Sequence, residues 1–220
     1  MRETLPAHLE TALVERTGRK LEVLNFGVPG YNLDEEVDQY RFFAHRWNPD
    51  VVLLFLVRGP GVLDPPLCEW TRRRALGWAV TNVYVARVVY FRFIFRKMSS
   101  DYRKKVDSKK RLRHDLQQLA EVCRRNGARL GVVIFRDPLP GPAQGTGDIE
   151  KIMEDIGISW LDGRRWMEKK ETEGLLQRLP KDGHFTGDSY WRMATFAADW
   201  LIRDCELMST AGVSCNLTSE

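Results

Sequence analysis

Seven consecutive apolar residues, Val51-Val52-Leu53-Leu54-Phe55-Leu56-Val57, constrain this chain more than any other feature. Asn48-Pro49-Asp50 breaks the pattern ahead of them, and a loop dense in Gly, Pro and Asp, Arg58 to Pro66, follows. A short run with no polar face and turn signals at both ends predicts a strand buried on both sides. Such strands belong to parallel sheets whose two faces are covered by helices. Arg129-Leu130-Gly131-Val132-Val133-Ile134-Phe135 and Ile158-Ser159-Trp160-Leu161-Asp162 read as further strands. So does Leu21-Glu22-Val23-Leu24-Asn25-Phe26, which runs into a turn holding Gly27, Pro29 and Gly30. A glycine-bearing loop between a strand's carboxyl end and a helix start is where an α/β sheet places its binding sites.

Helical patterns separate these strands. Thr4 is a cap candidate for a first helix, with Pro6 in its first turn, Leu5, Leu9 and Leu13 at helical spacing, and Gly18 at its end. Asn32 with Glu35 resembles a capping box, and Leu33, Val37, Tyr40, Ala44 and Trp47 form one apolar face behind it. Leu112, Leu116, Leu119 and Cys123 mark a third helix closed by Asn126-Gly127. A loop from Asp137 to Gly147 leads into a short helix. The last helix is capped by Thr186 and buries Tyr190, Ala194, Ala197 and Leu201. Strands alternating with helices predict a parallel sheet flanked on both sides.

The totals limit what such a chain does. Its 220 residues suit one domain over 1–206, with a basic helical insertion at about 67–110 and a C-terminal tail at 207–220. Hydrophobic residues are 43% and charged ones 29%, the balance of a soluble globular protein. The net charge of +4 is concentrated in Arg72 to Arg74 and in the run from Arg103 to Arg113, which reads as a solvated face. No nucleic-acid recognition motif accompanies it, so no nucleic-acid partner is expected. Cys68, Cys123, Cys205 and Cys215 include no CxxC pair, which argues against a zinc site and a dense disulfide framework; no cofactor is expected. No signal peptide opens the sequence, so a cytoplasmic location is the expectation as it stands.

Leu76 to Phe95 is strongly apolar but contains Arg87 and Arg92. Each arginine near a bilayer centre costs roughly 2.5–3.5 kcal/mol, which argues against a transmembrane span. The stretch reads instead as a helix that packs over the domain, or one that lies on a membrane surface with its arginines among the headgroups.

Among the four histidines, His8, His45 and His114 read as surface residues. His184 differs. It follows Asp182 and Gly183 in a loop just ahead of the last helix, and an Asp that orients an imidazole is half of a hydrolytic triad. An Asp-Gly turn beside an incidental His is the alternative reading of the same spacing.

In the order of these segments the chain resembles the SGNH/GDSL hydrolase family. Asn25-Phe26-Gly27-Val28-Pro29-Gly30-Tyr31-Asn32 is similar to the family's second block, which implies that Gly30 gives a backbone N–H to an oxyanion hole. Asn48-Pro49-Asp50 and the apolar strand resemble the approach to the third block. Asp182-Gly183-His184, then Gly187 and Ala194, resembles the last, with His184 as general base and Asp182 as its partner. One residue separates that Asp and His where the family more often has two. The third block departs further: Pro60 stands where an oxyanion-donor Asn is expected. Loss of one such donor typically costs about 10²–10³ in rate.

The family's first block, a strand ending in Gly-Asp-Ser with the nucleophile, is not found at the start of these residues. Gly187-Asp188-Ser189 falls in the first turn of the last helix with no strand before it, so Ser189 is not expected to be a nucleophile. The site expected is therefore His184, Asp182 and Gly30, with no nucleophile. The resemblance implies a three-layer α/β/α, flavodoxin-like sheet missing its first, central strand, with the Leu21 and Val51 strands paired directly or facing across a gap. Marginal stability or a rebuilt sheet follows, and a misplaced start of the reading frame explains the loss more simply than an evolved truncation.

Two functions follow from the resemblance. One is an ester hydrolase or acyltransferase, acting on acyl esters of small molecules or carbohydrates, that is inactive as given. The other is a non-catalytic binding or scaffold module of the same fold, which Pro60 favours. Residues 76–113 are a candidate contact with an anionic membrane or a partner under either.

Overall fold

The computed structural model describes residues 4–28, 31–58, 108–136, 147–180 and 184–204. Within these, three strands form one open parallel sheet: β1 (Val51–Arg58), β2 (Arg129–Arg136) and β3 (Ser159–Asp162), in the order β1-β2-β3. β1 and β2 pair along their whole length, from Val51 opposite Arg129 to Arg58 opposite Arg136. β2 and β3 pair from Gly131–Ser159 to Ile134–Asp162. The apolar runs become the sheet, as their lack of a polar face requires.

Six α-helices flank it among the described residues: α1 (Leu5–Thr17), α2 (Leu33–Phe42), α3 (Ser108–Arg125), α4 (Gly147–Ile156), α5 (Arg164–Thr172) and α6 (Gly187–Arg203). Side-chain alternation along the strands divides them between two faces. Leu54, Leu56, Leu130, Val132 and Ile134 point into a cluster with α2, α3 and α4. Val133 and Phe135, with Val51, Leu53 and Phe55 against them, point into a second cluster with α1, α5 and α6. The molecule is thus an α/β protein with helices on both sides of a parallel sheet. Small residues bring the second face close: Ala12, Ala194, Ala197 and Ala198 are fully buried.

Helix ends follow the predicted chemistry in most places. Gly18 closes α1 in the left-handed region, its N–H bonded to the Val14 carbonyl. Thr4 occupies the N-cap position, but its side chain makes no capping bond. Ahead of α2 the Asn32 N–H donates to Glu35 Oε2 at 3.1 Å, one limb of the expected capping box. Thr186 caps α6, accepting the Ser189 N–H at 3.3 Å.

Several expectations are corrected. Leu21–Phe26 forms no strand: among the described residues β1 pairs with β2 alone, and nothing offers the segment a ladder. Apolar alternation promotes a strand only where a neighbour supplies hydrogen-bond partners. The predicted single helix through Trp47 stops at Phe42 and continues as a 3₁₀ turn, Ala44–Trp47. The tighter winding takes Trp47 off the buried stripe, leaving it 49% exposed. His8 is half-buried and edge-on to Trp191, with ring centroids 5.6 Å apart. α5 has no counterpart in the sequence reading. It is polar, and only Met167 is buried.

The basic run is more than a solvated face where it enters α3. Arg111 pairs with Asp34 on α2 at 2.7 Å, and Arg113 pairs with Asp155 on α4. The insertion proposed at about 67–110 lies outside the described residues up to position 107, as do Pro60 and the apolar stretch 76–95. No helix among the described residues is long and apolar enough to cross a membrane.

Candidate functional site

The segment between α5 and α6 is built to hold one residue outward. After α5 the chain turns at Gly174, whose φ of 71° suits a residue without a Cβ, and buries Leu176. Residues 177–180 and 184–186 then run antiparallel, with a bridge between Arg178 and Phe185. The Leu179 N–H donates to the His184 carbonyl at 2.7 Å, and the Thr186 N–H donates to the Gln177 carbonyl at 3.0 Å. Phe185 is buried and edge-on to Tyr190, with the Arg178 guanidinium 3.9 Å above its ring centroid. Glu171 on α5 pairs with that guanidinium in turn. The backbone of His184 is held from both sides, and its side chain is exposed, one residue before an anchored aromatic and two before the cap of α6.

Ser189 belongs to the framework of this segment. It is fully buried. Its hydroxyl donates to the Gln177 carbonyl at 2.9 Å and accepts the Gln177 N–H at 2.7 Å. The Thr186 hydroxyl lies 3.0 Å away. A hydroxyl engaged as donor and acceptor by the backbone of one residue, with no solvent access, is not available to attack a substrate. Ser189 lies in the first turn of α6, where the sequence reading put it. Of the other expected site residues, Asp182 and Gly30 lie outside the described residues; His184 alone of the three is placed.

A second polar constellation closes the carboxyl end of β3. Asp162 receives Arg164 Nε at 2.7 Å on one oxygen and Nη2 at 2.8 Å on the other, and its Oδ1 also accepts the Arg164 N–H at 3.0 Å. Glu150, in the first turns of α4, accepts from the same guanidinium. The hydrogen bonds from Arg164 hold the Asp162 carboxyl below the usual carboxylate range, and those same bonds push the guanidinium upward. Gly163, between them, has no room for a side chain. A Cβ there would lie 2.7 Å from the Phe135 ring and 3.1 Å from the Ile134 carbonyl. This cluster joins β3, α4 and α5. The sequence reading missed it because its members are charged residues on three elements whose meeting only the fold decides.

Near the start of α2, burial first and neighbouring Glu35 second push Glu36 up to about 7. Deeper, burial pushes the Cys123 thiol up to about 12, which leaves it an inert packing group. No group of His, Cys, Asp and Glu among the described residues has the arrangement of a metal site. Comparison with models of known families, with curated proteins and with solved structures finds no match in any of the three.

Proposed function

We propose that this chain is an SGNH-type, hydrolase-like domain of three-layer, flavodoxin-like α/β/α design, and that these 220 residues do not by themselves hydrolyse esters. Support for the design comes from the order of the similar segments. The block ending at Asn32 opens α2, the apolar run is β1, and His184 immediately precedes α6. The observation that carries the catalytic part of the reading is the contrast at the α6 N-terminus. His184 is exposed on a tightly held backbone, whereas the hydroxyl of the adjacent Gly187-Asp188-Ser189 is sealed against Gln177. With the Ser189 hydroxyl held by Gln177, His184 has no free hydroxyl in that turn to activate.

In this reading Asp182 orients the His184 imidazole, and Gly30 provides one backbone donor for a developing oxyanion. Acyl esters of small molecules or carbohydrates are the substrates that the resemblance implies once a nucleophile is present. Hydrolysis of p-nitrophenyl acetate by the purified chain is expected at the buffer rate, with no labelling by a fluorophosphonate. Turnover that disappears in His184→Ala would overturn the inactive reading. The Asp182–His184 pairing has its own test in proton NMR. A downfield imidazole N–H resonance is expected that vanishes in Asp182→Asn as well as in His184→Ala; its persistence in Asp182→Asn removes the triad assignment.

The second reading, a binding or scaffold module of the same design, is favoured by one residue. Pro60 stands where the resemblance expects an oxyanion-donor Asn, and proline has neither a side-chain donor nor a backbone N–H. A domain relieved of catalysis would tolerate that substitution.

A further inference from the structure

Large apolar side chains and arginines stand out together at the amino end of the sheet. α2 stops at Phe42 and the 3₁₀ turn Ala44–Trp47 follows; at this change of winding Phe42 is 60% exposed, and Phe43 and Trp47 are about half exposed. Arg41 and Arg46, interleaved with them, are exposed as well. The Arg41 guanidinium lies 5.3 Å from the Phe42 ring centroid, and neither arginine makes an ion pair among the described residues. No carboxylate occurs from Gln39 to Pro49.

A second helix ends beside them. Trp47 leads into β1 and Arg125 into β2, Val51 lies opposite Arg129, and the Arg129 N–H donates to the Asp50 carbonyl at 3.0 Å. The last turn of α3 thus adjoins the 3₁₀ turn and carries exposed Arg124 and Arg125. Arg125 pairs with Glu121, whereas Arg124 makes no ion pair among the described residues. Helix dipoles favour arginine at both carboxyl ends, but they give no reason for exposed aromatic rings in the same place. Both strands run away from this patch, so Arg58 and Arg136, which precede residues 59–107 and 137–146, lie at the opposite end of the sheet.

The rings narrow the choice of partner. Phe26, Phe43 and Trp47 pack on one another with interplanar angles of 79°, 61° and 59°. Their faces are spent on each other, which leaves no parallel pair spaced to hold a nucleobase. Exposed aromatics among arginines are instead the composition of a membrane-interface anchor, whose rings enter the headgroup layer while guanidiniums meet lipid phosphates. We propose that the turn Arg41–Trp47, with the end of α3 beside it, docks on an anionic lipid surface. Phe42, Phe43 and Trp47 enter the headgroup layer, and Arg41, Arg46 and Arg124 face the phosphates. This surface is separate from residues 76–113, and the proposal does not depend on the hydrolase-like reading.

Co-sedimentation of the whole chain with vesicles tests it, using phosphatidylcholine with about one-third phosphatidylserine against phosphatidylcholine alone. Binding is expected to the anionic vesicles and should weaken as salt is raised. Arg41→Gln with Arg46→Gln, and separately Phe42→Ala with Trp47→Ala, should each lower the affinity by roughly tenfold. Nitroxide-labelled lipid in the same vesicles should broaden the amide resonances of Arg41 to Trp47 and of Arg124 more than those of Arg58 and Arg136. The broadening is read on the unsubstituted chain, so it decides the matter whether or not a variant folds. No binding to anionic vesicles, equal binding by the chain and both double variants, or broadening that spares residues 41–47 would each overturn the proposal. So would a single-stranded oligouridine that binds more tightly than the vesicles and is lost with the same substitutions, because the surface would then belong to nucleic acid.

Discussion

At the scale of single residues, burial decides which chemically suggestive side chains remain chemical. Ser189 sits in a Gly-Asp-Ser sequence yet spends its hydroxyl on the two backbone groups of Gln177. Ser189→Ala leaves the Gln177 N–H without its acceptor and takes one of two donors from the Gln177 carbonyl, which keeps the Thr186 N–H. It is expected to destabilise the fold by roughly 1–3 kcal/mol in urea unfolding, with the esterase rate unchanged from background. Glu36 carries the converse lesson. Its pKa rises in the folded chain from 4.5 to about 7, so the folded state holds a proton over that interval that the unfolded state has lost. Stability from this group is therefore full below about pH 4.5, falls as pH rises through about 7, and levels off above. Glu36→Gln should remove that slope and raise stability by roughly 1–3 kcal/mol above about pH 8, measured by unfolding across the pH series. An unchanged slope would assign the pH dependence elsewhere.

At the scale of elements, periodicity was a good guide wherever an element packs through an apolar stripe. Leu112, Leu116, Leu119 and Cys123 lie on the buried face of α3, as their spacing implies, and Ala194, Ala197 and Leu201 do the same on α6. It misled where partners or local geometry intervene. Leu21–Phe26 has the composition of a strand but pairs with no strand among the described residues. Trp47 keeps the helical interval but follows a change to 3₁₀ winding that turns it outward. α5 was illegible because its start depends on a charged side chain that precedes it. Gly163 at the N-cap has no side chain, and Asp162 takes over by accepting the Arg164 N–H while clamping the guanidinium. Asp162→Ala is expected to fray the first turn of α5 and cost roughly 1–2 kcal/mol. Faster amide exchange in α5 should accompany the lowered stability; loss of stability without it would place the role of Asp162 in the bridge to α4.

At the scale of the whole molecule, the amino-acid sequence by itself determined the class of fold. Apolar runs alternating with amphipathic helices favour strands in a sheet covered on both faces, and the parallel order β1-β2-β3 with helices on each side is that arrangement. The place of His184 just ahead of the last helix was legible too, since Thr186 is a recognisable cap. Tertiary structure alone decided which residues meet across long separations. It brought Gln177 to Ser189, Arg164 to Glu150, and Arg111 to Asp34. It also decided that the Leu21 segment stays outside the sheet, so that β1 is an outer strand among the described residues. Periodicity reports how a segment divides its own surface between core and water. Hydrogen-bond partners and ion pairs come from elsewhere in the chain, so they are settled only when the elements pack.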